Sequence, residues 1–369
     1  ERMTPDSARK LATESVAATA AERDRTGAWP RQELAAVAQS GFMGMLVPEA
    51  WGGAGASFVE YCLALEEFAA ADAGFATLMH VHNSVGFMLS RSGTAAQKDR
   101  YLPALASGER IGAFLLTEPH AGSDTAAFRT TARRDGAHYV LNGTKQFISN
   151  GSEAGLGVVL AVTDKSAGKN GTSMFLVDPA EPGYQVARIE DKLGQRSAHV
   201  AQIRLEDCRV PADNLVGEEG AGYRRILGRL AEGRVAITAV AAGAARAGPD
   251  AAIVYARERE AYGKPINQLQ AVSFDLADMA TQLEVARQFY IHAARLCAAD
   301  IPCAKEASMA KLFASEMAEK VCSDALQIHG GYGYVTDFPV ERYYRDVRVT
   351  KIYEGTSHIQ KLIISRALM

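Results

Sequence analysis

The chain has 369 residues, 48% hydrophobic and 22% charged, a balance that permits a large buried core and, by length, two or three domains. Its net charge of −3 and isoelectric point near 6.3, with both signs interleaved, leave no electrostatic footprint for nucleic acid or an anionic membrane surface. Cys62, Cys208, Cys297, Cys303 and Cys322 form no CxxC pair and no zinc-like spacing with histidine, so no metal is expected.

Scattered free thiols suit a reducing compartment. No apolar run approaches the roughly 20 residues that span a bilayer, and Glu1–Lys10 lack the apolar core of a secretion signal. A cytoplasmic protein without membrane insertion is expected.

From Ser7 to about Ile111 the sequence is rich in Ala, Leu, Glu and Arg, broken by turns such as Trp51-Gly52-Gly53-Ala54-Gly55. That texture predicts several packed helices. Thr94 followed by Gln97 predicts a capping box, and Pro103 makes the helix behind it short or kinked.

Between about Ala113 and Gly217 the texture changes to short β-rich runs, among them Gly157–Val162, Ser173–Val177 and Val200–Leu205. Asn142-Gly143, between His138–Leu141 and Lys145–Ser149, predicts a tight hairpin, because this pair accepts positive φ. After Gly222 helix returns. Val272, Leu276, Met279, Leu283, Ala286, Tyr290 and Ala293 recur at helical spacing, with Asp275, Asp278, Gln282 and Gln288 opposite. Ala310, Phe313, Met317 and Val321 repeat the pattern beyond the Asp300–Pro302 break, which predicts an antiparallel pair.

The expected fold is mostly α with a small β domain. A helical domain takes residues 1–112, a β-barrel or sandwich 113–220 and a helical bundle 221–369.

No GxGxxG follows a strand, and neither GxxxxGK[ST], GxSxG nor HExxH occurs, so Rossmann, P-loop, hydrolase and metalloprotease readings have no support. Three segments are too glycine-rich and polar for packing alone: Leu116–Asp124, His329–Tyr334 and Ile352–Ser357. Each permits close approach of backbone to a ligand.

With LTEPHAGSD at 116–124, LNGTKQFISNG at 141–151, the stretch Ala256–Gln270, and the run from Gln327 through IYEGTSHIQKL, the chain resembles the acyl-CoA dehydrogenases over essentially its whole length. The resemblance implies a helical N-terminal domain, a middle β domain, a C-terminal four-helix bundle and a homotetramer holding FAD near a subunit interface. It implies that Phe114, Leu116, Thr117, Ser123, Phe147, Ile148 and Ser149 surround the flavin ring. Arg259, Tyr262, Gln270, Gln327 and Gly331 match positions that meet the cofactor from a neighbouring subunit, and Thr356 and His358 touch it again. Ser123, Arg234, Gly355 and Arg366 match substrate-side positions. The electron acceptor it implies is an electron-transferring flavoprotein.

Glu354 matches the base. An α-proton beside a thioester is weakly acidic, so its removal needs a desolvated carboxylate and an oxyanion site for the developing enolate. Some relatives carry the base on the helix beginning near Leu230. There the matching residue is Gly233, and the neighbouring Glu232 is expected at the rim or in solvent. His120, Phe147 and Ala231 depart from the usual glycine, tryptophan and aspartate, and the last leaves open whether coenzyme A or a carrier protein bears the acyl group. His80, His82 and His199 receive no role, although the first two lie in a segment able to line an acyl pocket.

The alternatives are a flavin oxidase or monooxygenase on the same scaffold, and a helical adaptor without flavin. Glu354, Arg259 and Thr117 argue against the adaptor.

Overall fold

The computed structural model describes residues 4–125 and 127–369; residues 1–3 and 126, which fall within the first and second expected domains, lie outside the described residues. Side-chain caps fix several of the helix starts. Helix α1 (Pro5–Leu11) begins at Thr4 and runs through a π-helical stretch, Ala12–Ala17, into α2 (Ala18–Thr26), which stops at Gly27 with φ 70°. After α3 (Arg31–Gln39), Ser57 and Glu60 form a capping box for α4 (Phe58–Ala71), and the Asp72 carboxylate accepts from Phe75 N to start α5 (Ala73–Ser92). The capping box expected at Thr94 is present: Thr94 N donates to Gln97 Oε1 at 3.1 Å and Gln97 N to Thr94 Oγ1 at 3.2 Å, opening the 12-residue α6 (Ala95–Ala106) with Pro103 inside.

Strands follow: β1 (Gly112–Leu115), β2 (Thr131–Asp135), β3 (His138–Ser149), β4 (Leu156–Val162), β5 (Thr172–Val177), β6 (Tyr184–Ile189) and β7 (Val200–Pro211). They form one seven-stranded sheet in the order β1-β4-β2-β3-β7-β6, with β5 along β4. Because β4 and β5 are apolar on both faces, they sit between two clusters: Leu160 and Met174 join the side facing α5 and α6, while Val159 and Phe175 join the other.

The hairpin expected at Asn142-Gly143 is not there. Strand β3 runs straight through these residues, and its register against β7 shifts between Leu141 and Gly143, which is a bulge. A Cβ on Gly143 would lie 2.7 Å from Thr130 Cα, so the glycine serves a close approach of neighbouring backbone rather than a reversal. The chain reverses instead at Gly136-Ala137, where Asp135 pairs with His138 and Gly136 has φ 58°.

Past α7 (Gly222–Leu227) come α8 (Leu230–Glu258), a two-stranded ribbon of β8 (Glu260–Ala261) and β9 (Lys264–Pro265), then α9 (Gln270–Ala298) and α10 (Ala304–His329). Helices α11 (Val340–Val347) and α12 (Ser357–Leu368) close the chain, and α12 packs on α10 to complete the bundle with α8 and α9. Helix α8 is apolar all round from Val235 to Ala245 because α4, α9 and α10 enclose it. At Gly243 a Cβ would overlap the Glu66 carbonyl, so α4 and α8 touch backbone to backbone.

Of the expected stripe on α9, Met279, Ala286, Tyr290 and Ala293 are buried, while Val272, Leu276 and Leu283 are half-buried. On α10, Ala310, Met317 and Val321 are buried, but Phe313 is 38% exposed and Ala314 takes the inward place. Buried Glu66 and Glu67 accept hydrogen bonds from Arg246, while Arg287 and Tyr290 reach Glu66 and Arg9 reaches Glu67. This seam ties the first helices to the bundle in one register, since separating any partner would leave a buried charge alone.

Candidate active site

The segment Ile352–Thr356 leaves a 3-10 turn, Arg348–Lys351, and enters α12 at Thr356, whose Oγ1 accepts from Ile359 N. Glu354 has φ 52° and Gly355 φ 90°, a left-handed pair. A glutamate holds that conformation only where its surroundings over-determine it. They do so here. Lys311 Nζ donates to Gly355 O at 2.7 Å, and Gln360 Nε2 donates to Glu354 O at 3.0 Å and to Gly355 O at 2.8 Å. A Cβ at Gly355 would stand 2.7 Å from Gln360 Nε2, so only glycine admits that amide.

The Glu354 carboxylate points at the first turn of α8. A Cβ on Gly233 would lie 2.8 Å from its Oε2 and 3.2 Å from its Cδ, so Gly233 clears the space the carboxylate fills. Burial raises the Glu354 pKa above the ordinary carboxylate value, and Arg234 and then Lys311 oppose the rise. Arg234 is 7% exposed, and burial pushes Lys311 down to about 8 against the pull of Glu354.

Glu354 stands in the wall of a cleft among α4, α5, β1, β5, α7 and the start of α8. Its walls are mostly apolar, including Phe58, Phe87, Met88, Phe114, Met174 and Leu230. Polar groups interrupt them in two places: Arg225, Arg229 and Glu232 line the cleft around the start of α8, and on α5 His80 Nδ1 lies 3.1 Å from Tyr61 Oη and 3.3 Å from Ser84 Oγ. Burial lowers the His80 pKa to about 4, so this imidazole is neutral at pH 7. His82 lies outside the cleft, with Met43 O and Leu105 O at one ring nitrogen and Gly112 N at the other, a structural role. His199 meets Gly27 O at 3.0 Å.

Glu232 departs from expectation. It lines the same cleft with its side chain 14% exposed, pairs with Arg229 at 2.7 Å, and is raised in pKa chiefly by burial. It follows Leu230 into the first turn of α8, whose start is itself a cleft wall, so it cannot turn fully to solvent.

Of the other sequence candidates, Phe114 lines the cleft. Leu116, Thr117 and Phe147 are brought together: Gln146 N donates to Thr117 O at 2.9 Å, and fully buried Lys145 joins Leu116 O at 3.1 Å and Glu118 at 2.9 Å. Phe147 is 64% exposed at φ 58°, Ser149 is half-buried, and Ile148 is buried in the sheet core, so only its backbone can face a ligand. Ser123 is exposed on the neighbouring loop.

Arg259, Tyr262, Gln270, Gln327 and Gly331 are exposed and do not line this cleft, and the Arg259 guanidinium lies 5.9 Å from the Tyr332 ring beside Gly331. Thr356 is half-buried beside Glu354, His358 is exposed in the first turn of α12, and Arg366 is exposed near its end, outside the cleft lining.

Sequence reasoning missed Tyr61, Ser84, Arg225 and Arg229 in the walls, because they come from separate helices. The signal that pointed there is the α5 segment carrying His80 and His82, read as able to line an acyl pocket.

These features fit a flavin. Phe147 offers an exposed aromatic face beside Leu116 and Thr117, and a Cβ on Gly330 or Gly331 would meet nothing within 4 Å, an open backbone approach beside the Arg259 cation. Among the described residues no helix is long and apolar enough to cross a membrane.

Family models for the acyl-CoA dehydrogenase N-terminal, middle and C-terminal domains match residues 1–109, 113–208 and 220–369. An acyl-CoA dehydrogenase of Bacillus subtilis is 44% identical over 98% of this chain and 96% of its own. Among solved structures, a chain described under the electron transferring flavoprotein of Acidaminococcus fermentans superposes with TM-score 0.97 at 42% identity, covering 99% of this chain and 96% of that one. Butyryl-CoA dehydrogenase of Megasphaera elsdenii superposes with TM-score 0.96 at 37% identity, again over 99% and 96%. With all three domain models in order and close relatives along its full length, the chain belongs to the acyl-CoA dehydrogenase family.

Proposed function

We propose that this chain is an FAD-dependent acyl-CoA dehydrogenase, converting an acyl-CoA to its trans-2-enoyl product, with Glu354 as the base. The observation that carries the reading is the Glu354 carboxylate: held in a left-handed turn, desolvated, and facing an apolar cleft wide enough for an acyl chain. Desolvation makes it a stronger base toward a weakly acidic α-carbon, and the thioester oxygen is placed against its backbone N–H as the α-proton leaves. Arg234 and Lys311 temper the desolvation, because a nearby cation favours the ionised form of the carboxylate.

When bound, FAD supplies the acceptor for the hydride leaving the β-carbon. Phe114, Leu116, Thr117, Ser123, Phe147, Ile148 and Ser149 would hold its ring. Arg259, Tyr262, Gln270, Gln327 and Gly331 would hold its diphosphate and adenine end across a homotetramer interface, with Thr356 and His358 completing the contact. Ser123, Arg234, Gly355 and Arg366 are the proposed substrate contacts. An electron-transferring flavoprotein is the proposed acceptor of the electrons, and the cytoplasm the proposed compartment.

The test is flavin bleaching without oxygen, across a panel of acyl-CoAs, for wild type and Glu354→Gln. The variant keeps FAD and still binds thioester, yet bleaches far more slowly; near-normal bleaching would reject Glu354 and turn attention to Glu232.

A further inference from the structure

Residues 225, 229 and 232 follow one another at the spacing of a single helix face across the junction of α7 and α8, and all three line the acyl cleft. Two of them answer each other, since Arg229 Nη1 meets Glu232 Oε1 at 2.7 Å. Arg225 has no such counterpart. Among the described residues its guanidinium makes no hydrogen bond and no ion pair, and its Nε is buried without an acceptor.

The space it occupies is provided for. Gly217, at φ 74°, lies against it, and a Cβ there would stand only 2.5 Å from the Arg225 Cζ. A half-buried guanidinium set beside Met174, Ile226 and Leu230 is costly unless a negative group meets it. Glu232 is already engaged with Arg229, and the Glu354 carboxylate is directed at Gly233.

We infer that Arg225 binds an oxyanion of the substrate itself, and so sets which thioesters this site takes. The inference rests on the acyl-thioester reading above. Two groups share the required chemistry: a carboxylate at the far end of the acyl chain, and a phosphate on the carrier arm. A planar guanidinium can meet either through paired N–H···O bonds, and losing one charge-assisted contact of this kind lowers apparent affinity about 10- to 100-fold.

The experiment compares wild type, Arg225→Gln and Arg225→Lys as FAD-loaded enzymes, with flavin content and melting temperature as controls on folding. The probes are straight-chain acyl-CoAs, ω-carboxyacyl-CoAs of matched length, and straight-chain acyl-pantetheines, which lack phosphate. The readouts are kcat/KM and the Kd for each thioester. A loss of about 10- to 100-fold in Arg225→Gln confined to the ω-carboxyacyl-CoAs, with part of it restored in Arg225→Lys, assigns the carboxylate. The same loss across every CoA thioester, with acyl-pantetheines unchanged, assigns the phosphate.

Values within twofold of wild type on all probes overturn the inference. So does an equal loss on the phosphate-free acyl-pantetheines, which marks a structural role. A wild type whose flavin is reduced by none of the thioesters overturns the dehydrogenase reading, and the inference falls with it. An active wild type beside an indifferent Arg225→Gln removes only the inference.

Discussion

The Glu354 turn and the Arg259–Gly331 surface both combine glycine with polar groups, but they are finished differently. Around Glu354 the turn is held from within the chain: the Glu354 and Gly355 carbonyls accept from Gln360 and Lys311, and the Thr356 hydroxyl caps α12. Around Arg259 the side chains stand outward: Tyr262 is 92% exposed at φ 54°, and Tyr334, just past the glycines, is 84% exposed. A single chain therefore builds its proposed base completely and leaves its proposed cofactor clamp open. Chemistry at an α-carbon needs a carboxylate held to within a fraction of an ångström, whereas a clamp shared between subunits takes shape only on assembly.

The largest break of that contrast is Glu354→Gln. Flavin reduction by the best acyl-CoA is expected to fall about 10²–10⁴-fold, with FAD and thioester binding kept, as read by anaerobic stopped-flow absorbance. Gly233→Ala comes next. Its methyl would stand 2.8 Å from Glu354 Oε2 and displace the carboxylate without changing its chemistry. A misplacement of about 1 Å can cost about 10²-fold, so reduction slows while the spectral response to bound thioester persists. Unaltered reduction in Gly233→Ala would show that the carboxylate does not work from the position it holds beside α8.

Arg259→Ala tests the open region. The expected result is about a 10- to 100-fold weaker hold on FAD together with a lower mass in solution, measured by flavin release and light scattering. Full flavin occupancy at native mass would detach Arg259 from the cofactor. The contrast sharpens if Arg259→Ala loses flavin while Gly233→Ala keeps it.

What the sequence made legible follows the same division. Local signals held: the Thr94–Gln97 capping box forms as read, and Met279, Ala286, Tyr290 and Ala293 of the α9 stripe are buried. Signals whose meaning depends on a distant neighbour did not. Asn142-Gly143 has the chemistry of a turn, but Thr130 passing against Gly143 makes it a bulge within β3. Phe313 has the spacing of a core residue, yet Ala314 faces inward where α10 is crowded by small residues, leaving the larger ring outside. Glu232 reads as a rim charge until α5, α7 and α8 are placed around it. The pairing of Gly233 with Glu354 spans most of the C-terminal half of the chain, and the sequence could offer it only through the family resemblance.

The smallest expected effect concerns the charge beside the base. Glu354 must be ionised to accept a proton, so flavin reduction is expected to rise with pH through its pKa, which burial sets above the ordinary carboxylate value. Arg234 and Lys311 pull that pKa down, because a nearby cation favours the ionised carboxylate. Lys311→Met removes one of these cations and leaves desolvation less opposed. The Glu354 pKa then rises further, a smaller fraction is ionised at any acid pH, and the ascending limb of the rate profile moves toward higher pH. Lys311→Arg keeps the charge and leaves the limb near its wild-type position, even if its donation to Gly355 O is imperfect. The profile of the anaerobic reduction rate constant in the three proteins separates the electrostatic effect from a slackened turn. A slackened turn lowers the plateau without moving the limb, whereas the lost charge moves the limb first. A limb that stays fixed in Lys311→Met, or moves to lower pH, would mean that the carboxylate responsible for the profile is not the one standing beside Lys311.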